Sequence, residues 1–301
     1  MDKESIEQYK QAGKIAGQAR EYGVSLMKAD SKIKDVLDSI EKFIQDKGAG
    51  IAFPAQISLN KVAAHACSDL GDETVLKESD VAKLDVGAHI NGFIGDTATT
   101  VNLDGKYKEL VAASRAALNA ASEMMVVGTK TGEIGATIQE TISGLGFQPV
   151  RNLSGHGLGQ YQIHTDPSIP NIKLDTKIEL KEGMTVACEP FATDGKGMIA
   201  EGGTATVFSP LDSPARVRSP IARELLKKIN SYNGLPFASR WLEKEFGVGK
   251  TRLGLKELER AGLVHGHPPL REVGSGMVSQ TEHSFLITDG KPIITTKLDD
   301  D

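Results

Sequence analysis

Five residues of this 301-residue chain, Asp85, Asp96, His156, Glu189 and Glu282, have the types that could share a metal site. Four are carboxylates and one is an imidazole. So oxygen-rich a set suits two hard or borderline divalent ions held close together and bridged by shared carboxylates. Two such ions make a strong nucleophile from water at neutral pH, so the set predicts a hydrolase.

The local settings support grouping them. Asp85 interrupts the apolar run Val81-Ala-Lys-Leu-Asp85-Val-Gly, and Asp96 follows Gly92-Phe-Ile-Gly95. A turn between two strands would set these carboxylates side by side. A buried strand Asp costs several kcal/mol unless it is paired or metal-bound. Taken alone, the two also read as turn or salt-bridge aspartates. His156 lies in Ser154-Gly-His156-Gly-Leu-Gly159, where glycines let the backbone crowd close to a site. His164 follows at an even spacing, which in an extended chain puts both imidazoles on one face. Glu189 (Val-Ala-Cys-Glu189-Pro) and Glu282 (Ser-Gln-Thr-Glu282-His) each interrupt a strand-like run. Singly, either reads as a solvent-facing edge glutamate; the argument lies in the set.

The elements that must position these groups can be read from periodicity. Residues 4–28 predict an amphipathic helix, with Ile6, Tyr9, Ile15, Ala19 and Leu26 on one side. Asp30 or Ser31 predicts the N-cap of a second helix carrying Ile33, Val36, Leu37, Ile40 and Ile44, ended by Gly48 and Gly50. Strand-like runs follow to residue 103. Helices are expected over Tyr107–Val127 and near Ile134–Leu145. Lys77-Glu78-x6-Asp85 recurs as Lys181-Glu182-x6-Glu189, and Asp96-Thr-Ala-Thr resembles Gly203-Thr-Ala-Thr. An internal repeat would bring carboxylates from two similar halves to one centre; coincidence between short strands is the alternative. Residues 220–272 differ, with helix-like runs at Ile221–Tyr232, Phe237–Phe246 and Lys250–Ala261, and a helix–turn–helix-like turn at Gly262. Strand character returns over Met277–Thr288, then an Asp289-Gly290 hairpin turn and Pro292–Thr296.

Composition is that of an ordinary soluble globular protein, 39% hydrophobic and 25% charged, with a net charge of −5 that argues against general nucleic-acid binding. Cys67 and Cys188 have no metal-type spacing and read as reduced thiols of a cytoplasmic protein. The first thirty residues lack the apolar stretch of a signal peptide, and no run approaches the roughly 18 apolar residues needed to span a bilayer. Secretion and membrane insertion are not expected.

The order Asp85, Asp96, His156, Glu189, Glu282, with Gly155-His-Gly-Leu-Gly-Gln-Tyr-Gln-Ile-His164 and Glu189-Pro-Phe-Ala-Thr-Asp-Gly195, resembles the methionine aminopeptidase family across essentially the whole chain. The resemblance implies an α+β pita-bread fold with an internal pseudo-two-fold repeat. The long gap from Glu189 to Glu282 resembles type II members, which insert a winged-helix-like helical subdomain there. It implies a catalytic domain of residues 1–209 plus 274–301 and an insertion of 210–273, without the N-terminal extension of eukaryotic type II proteins, as in archaeal forms. It further implies two divalent ions (Co, Mn, Fe or Zn) on the five ligands, with Asp85 on one metal, Asp96 and Glu282 bridging, and His156 and Glu189 on the other. A bridging water or hydroxide would attack the first peptide carbonyl, with Glu189 as general base. His65 and His164 match the histidines that contact substrate. Phe53, Pro54 and Ile163 match walls of a methionine pocket, and His267 falls where the insertion borders the cleft. The expected substrates are the N-termini of nascent polypeptides, met in the cytoplasm with the ribosome as one place of encounter, and the expected state is a monomer.

Residues 220–273 hold ten Lys/Arg and six Asp/Glu, a net of +4 (10 − 6). These charges interleave, as on a solvated helix face, so a nucleic-acid partner is not expected. The rival readings are a prolidase or aminopeptidase P of the same fold, a non-enzymatic RNA- or protein-binding scaffold, and a transcription regulator built on 220–273. The rival enzymes usually carry a large N-terminal domain, scaffolds of this kind have lost metal ligands, and a regulator would leave the five ligands unexplained.

Overall fold

Asp2 opens the first helix, its carboxylate accepting the Ser5 N–H at 2.8 Å. The computed structural model describes residues 1–298. Helix α1 (Lys3–Leu26) buries Tyr9, Ala12, Ile15, Ala16 and Ala19. It also buries Gly13 and Gly17, because a Cβ there would lie 2.5 Å from the Thr295 backbone and 2.6 Å from the Thr296 carbonyl. Helix α2 (Ile33–Asp46) starts later than the expected cap. Lys32 holds the cap position and makes no side-chain bond there. Asp30 instead sits at φ 67°, and its N–H and the Ser31 carbonyl both pair with Leu76. A non-local bridge has taken over the local capping signal.

Strands β1 (Gly50–Leu59), β2 (Val62–Ala64), β3 (Val81–Ile90) and β4 (Phe93–Asn102) complete the first half. The order β1-β3-β4 forms an antiparallel sheet under α1 and α2. The β3–β4 hairpin turns on Asn91 and Gly92, with φ 50° and 88°, the double positive-φ turn that such a pair favours.

The second half repeats this order. Helix α3 (Lys108–Ser122) ends five residues before the expected limit, where Met124–Thr129 turn and Gly128 N–H bonds Leu180 O. Helix α4 (Thr131–Gly144) follows, then β5 (Gln148–Pro149), β6 (Ser154–Gly159), β7 (Gln162–Pro170), β8 (Thr185–Cys188), β9 (Phe191–Thr193) and β10 (Ile199–Glu201). The first part of the sequence repeat holds in place: Asp85 lies in β3, and Glu189 directly follows β8. The second part does not. Residues 203–206 form no strand, and Gly203 has φ 114°. The return strand of the second sheet comes from much later in the chain.

Between them lie β11 (Val207–Pro210), α5 (Pro220–Asn230), β12 (Phe237–Ala238), α6 (Ser239–Phe246), α7 (Val248–Arg260), β13 (Val264–His267) and β14 (Leu270–Glu272). The expected turn at Gly262, φ 66°, leads from the end of α7 into strand β13. Residues 237–238, expected as helix, pair with β11. Three helices thus pack on the sheet β12-β11-β13 around Phe208, Leu225, Ile229, Phe237, Leu242 and Leu258.

The expected strand over 277–288 divides at Thr281-Glu282 into β15 (Val278–Gln280) and β16 (His283–Leu286), which join different sheets. The Asp289-Gly290 turn lies in the loop between β16 and β17 (Ile293–Ile294), which pair antiparallel. The second main sheet is therefore β17-β16-β8-β6-β7.

A buried ionic cluster holds α6 to the first half. Arg240, fully buried, meets Asp38 and Glu41 of α2 and the Cys67 sulfur. Glu41 also accepts from Trp241 Nε1 at 2.8 Å and from the Ala55 N–H at 3.2 Å. Removing the cation would leave Glu41 buried and uncompensated. Arg240→Met is expected to cost about 3–5 kcal/mol, read as a fall in the denaturant midpoint. Adding Glu41→Gln should recover part of that loss, and a strictly additive double mutant would argue against coupling.

Candidate metal centre

The β3–β4 register puts Asp85 opposite Ala98 and Asp96 opposite Gly87. Directly opposed residues share a face, so both carboxylates project to the same side as diagonal neighbours. Gly87 is needed there because a Cβ would lie 2.2 Å from the Phe53 ring. In the second sheet His156 lies opposite Ala187, and Cys188 lies opposite His283. Glu189 and Glu282 are the next residues beyond that pair, where the ladder ends.

Hydroxyls join the two sheets. Ser284 Oγ donates to the Asp96 carbonyl and accepts the Asp96 N–H, at 2.8 and 2.9 Å. Glu282 N–H donates to Ala98 O, and Thr97 Oγ1 donates to Glu282 O. Thr100 Oγ1 accepts the Gln280 N–H and donates to its carbonyl, at 2.8 and 2.7 Å. Residues 96, 98 and 100 thus face 284, 282 and 280 in antiparallel steps.

Asp96, His156 and Glu282 can each present a ligand atom within 4.8 Å of the other two. His156 Nε2 lies 3.8 Å from Asp96 Oδ2 and 3.6 Å from Glu189 Oε1. Its Nδ1 lies 3.2 Å from Gly157 O. A carbonyl only accepts, so Nδ1 carries the proton and Nε2 turns its lone pair toward the carboxylates. Burial, and then His164, lower the His156 pKa to about 3, so the ring is neutral.

A lone pair facing two anions repels them unless a cation lies between. The carboxyl groups show the same stress. Burial raises Asp85 to about 7. It also raises Asp96, Glu189 and Glu282 well above the usual range, with the neighbouring carboxylates adding to the rise. Asp85 Oδ1 and Asp96 Oδ1 are buried without a hydrogen-bond partner. This donor set fits a divalent cation, and Asp96, His156 and Glu282 lie close enough to share one. Asp85, Asp96, His156, Glu189 and Glu282 together line one cavity of about 400 Å³.

His65 and His164 line the same cavity, and so does His267, carried in from β13. His65 adopts φ 63°, a left-handed conformation that costs a non-glycine residue energy. Its ring lies 5.6 Å from that of His267, while the His156 and His164 rings lie 4.4 Å apart. Phe53 and Ile163 form an apolar wall backed by Leu158 and Leu235. Pro54 is buried in β1, next to Phe53 in sequence, and does not line the cavity; successive strand residues face opposite ways. Sequence reasoning missed Ser209, Val207, Pro236 and Leu270, which also line it. It missed Gln280 as well, although a polar residue two positions before Glu282 was a usable signal.

Residues 7–210 match the model of metallopeptidase family M24. The chain is 44% identical over 298 residues to a methionine aminopeptidase of Archaeoglobus fulgidus, covering 99% of this chain and 100% of the relative. It belongs to this metallopeptidase family, and its fold is the pita-bread fold. Among solved structures it resembles a thermophilic Arx1, with TM-score 0.87 and 15% identity over 98% of this chain and 91% of that one. A methionine aminopeptidase of Thermotoga maritima follows, with TM-score 0.72 and 24% identity over 99% and 98%. A Pyrococcus furiosus prolidase is more distant, with TM-score 0.62 and 18% identity over 99% of this chain and 65% of that one. The family match stops at residue 210, so Glu282 is assigned to the centre on geometry.

Two outcomes follow from the electrostatics. Metal-free protein holds protons on the raised carboxyls, and a cation must displace them. Affinity for Mn²⁺ should therefore strengthen between pH 5 and 8, by about tenfold per pH unit for each proton displaced. Calorimetry in two buffers of different ionisation enthalpy checks this, and a pH-independent affinity would contradict it. Separately, burial first and neighbouring histidines second lower His65 and His267 to about 4. A folded pKa below the unfolded value means these rings should stay neutral as pH falls through 6.5. Their NMR signals should not move until about pH 5; ordinary midpoints would refute the assignment.

Proposed function

We propose that this chain removes the initiator methionine from nascent polypeptides, and that Asp85, Asp96, His156, Glu189 and Glu282 hold two divalent ions for the purpose. The observation that carries this reading is one cavity in which four buried carboxyl groups and His156 adjoin the apolar wall of Phe53 and Ile163. Bound there, the ions would lower the pKa of water and polarise the first peptide carbonyl.

The chain's own groups supply the rest. Asp85, Asp96, His156, Glu189 and Glu282 would hold the ions, with Asp96 and Glu282 central to the set. Glu189 takes the attacking water's proton and delivers it toward the leaving amine. His65 and His164, neutral at pH 7, offer hydrogen bonds to the scissile amide. Phe53 and Ile163 receive the unbranched thioether. His267, within hydrogen-bond distance of Ser209 Oγ at 2.8 Å, closes the cleft from the segment 210–273, which we treat as an inserted subdomain. Among the described residues no helix is long and apolar enough to cross a membrane. We place the activity in the cytoplasm, on a monomer that meets polypeptides as they emerge.

Glu189→Gln should leave the fold intact and lower the release of Met from Met-Ala-Ser by at least about 100-fold, in the range of a lost general base. Near-normal turnover would sink the assignment. Full chelation should abolish release until divalent metal is restored. Met-Ala peptides should be cut and Ala-Pro peptides spared; the reverse preference would favour a prolidase.

A further inference from the structure

Gln280 ends β15 two residues before Glu282 and is 1% exposed. Its backbone is held on both sides by the Thr100 hydroxyl, so its side chain leaves from a fixed point. From there Gln280 Nε2 donates to Glu189 Oε2 at 3.2 Å. Glu189 and Asp85 line the same cavity. Asp85 comes from β3 of the first sheet and Glu189 from the end of β8 in the second.

We infer that Gln280 is a positioning residue of the metal centre, its side-chain amide setting the orientation of the Glu189 carboxylate. Glu189 shows the effect. Its Oε2 is engaged by the amide, which leaves Oε1 toward His156 Nε2 at 3.6 Å. On Asp85, Oδ1 has no partner and remains available to a cation.

The side-chain type matters. An amide nitrogen donates, and an ionised carboxylate can only accept. The amide carries no charge, so it orients the anion without neutralising the negative potential that attracts the metal. A lysine in this place would compete with the cation, and a glutamate would add a fifth repelling carboxylate. Groups that orient metal ligands typically change affinity by 10–100-fold when removed.

This inference rests on the metal reading above, so the test is direct metal binding, with no substrate. Mn²⁺ is titrated calorimetrically into metal-free wild type, Gln280→Met and Gln280→Asn at one pH, with thermal unfolding of each metal-free protein as the check on fold. Met keeps the volume and loses the donors; Asn keeps the amide but is one methylene short. Both should melt within a few degrees of wild type and bind Mn²⁺ about 10–100-fold more weakly. If Gln280→Met does not fold, Thr100→Val, which frees the Gln280 backbone, should weaken binding in the same direction. Unchanged affinity in every variant that folds overturns the positioning role and leaves the metal site standing. A wild type that binds no Mn²⁺ overturns both.

Discussion

Four carboxylates gathered around one neutral imidazole repel one another, and the rest of the structure answers that repulsion. Water does not screen charges well at the floor of a cavity, so the anions cannot be left as they are. They must take up protons or share cations. The raised carboxyl pKa values, the partnerless Asp85 and Asp96 oxygens and the inward lone pair of His156 are three expressions of this one condition. A centre built this way is specific because it is uncomfortable when empty of charge compensation.

Holding it together takes rigidity from two directions. The β3–β4 hairpin delivers two aspartates on one face, and the β6–β8–β16 ladder delivers His156 and ends just before Glu189 and Glu282. Ser284, Thr97 and Thr100 then join the two by hydroxyl-to-backbone bonds where no continuous strand ladder runs. These bonds satisfy buried backbone groups and fix the distance between halves at the same time. On the open side the segment from β11 to β13 brings His267 and Pro236 to the cavity, while its Arg240 is anchored on Asp38 and Glu41, which do not line it.

Much of this could be read before any fold was known, for reasons that differ by residue. Helix α1 and the strands around Asp85 and Asp96 follow their local pattern, since apolar periodicity acts within one element. The glycines around His156 likewise marked a crowded backbone. Where reading failed, a distant contact had overridden a local preference. Asp30 and Ser31 look like caps but bond the 74–76 segment. Gly203-Thr-Ala-Thr looks like Asp96-Thr-Ala-Thr but lies outside any strand. Pro54 adjoins Phe53 yet does not line the cavity, because bulges in β1 and side-chain alternation are settled by pairing with β3.

The sequence by itself determined the chemistry: which side chains could bind a cation, which could move a proton, and that two similar segments would each bring an acid. Residue type and spacing suffice for that, because donor set and element period are local properties. The tertiary structure alone decided the geometry. It placed Glu282 beside Asp96 across 186 residues (282 − 96), brought His267 to face His65, and aimed the Gln280 amide at Glu189. Those relations arise from strand register and from hydroxyl bonds between sheets, which link positions with no periodic relation in the chain.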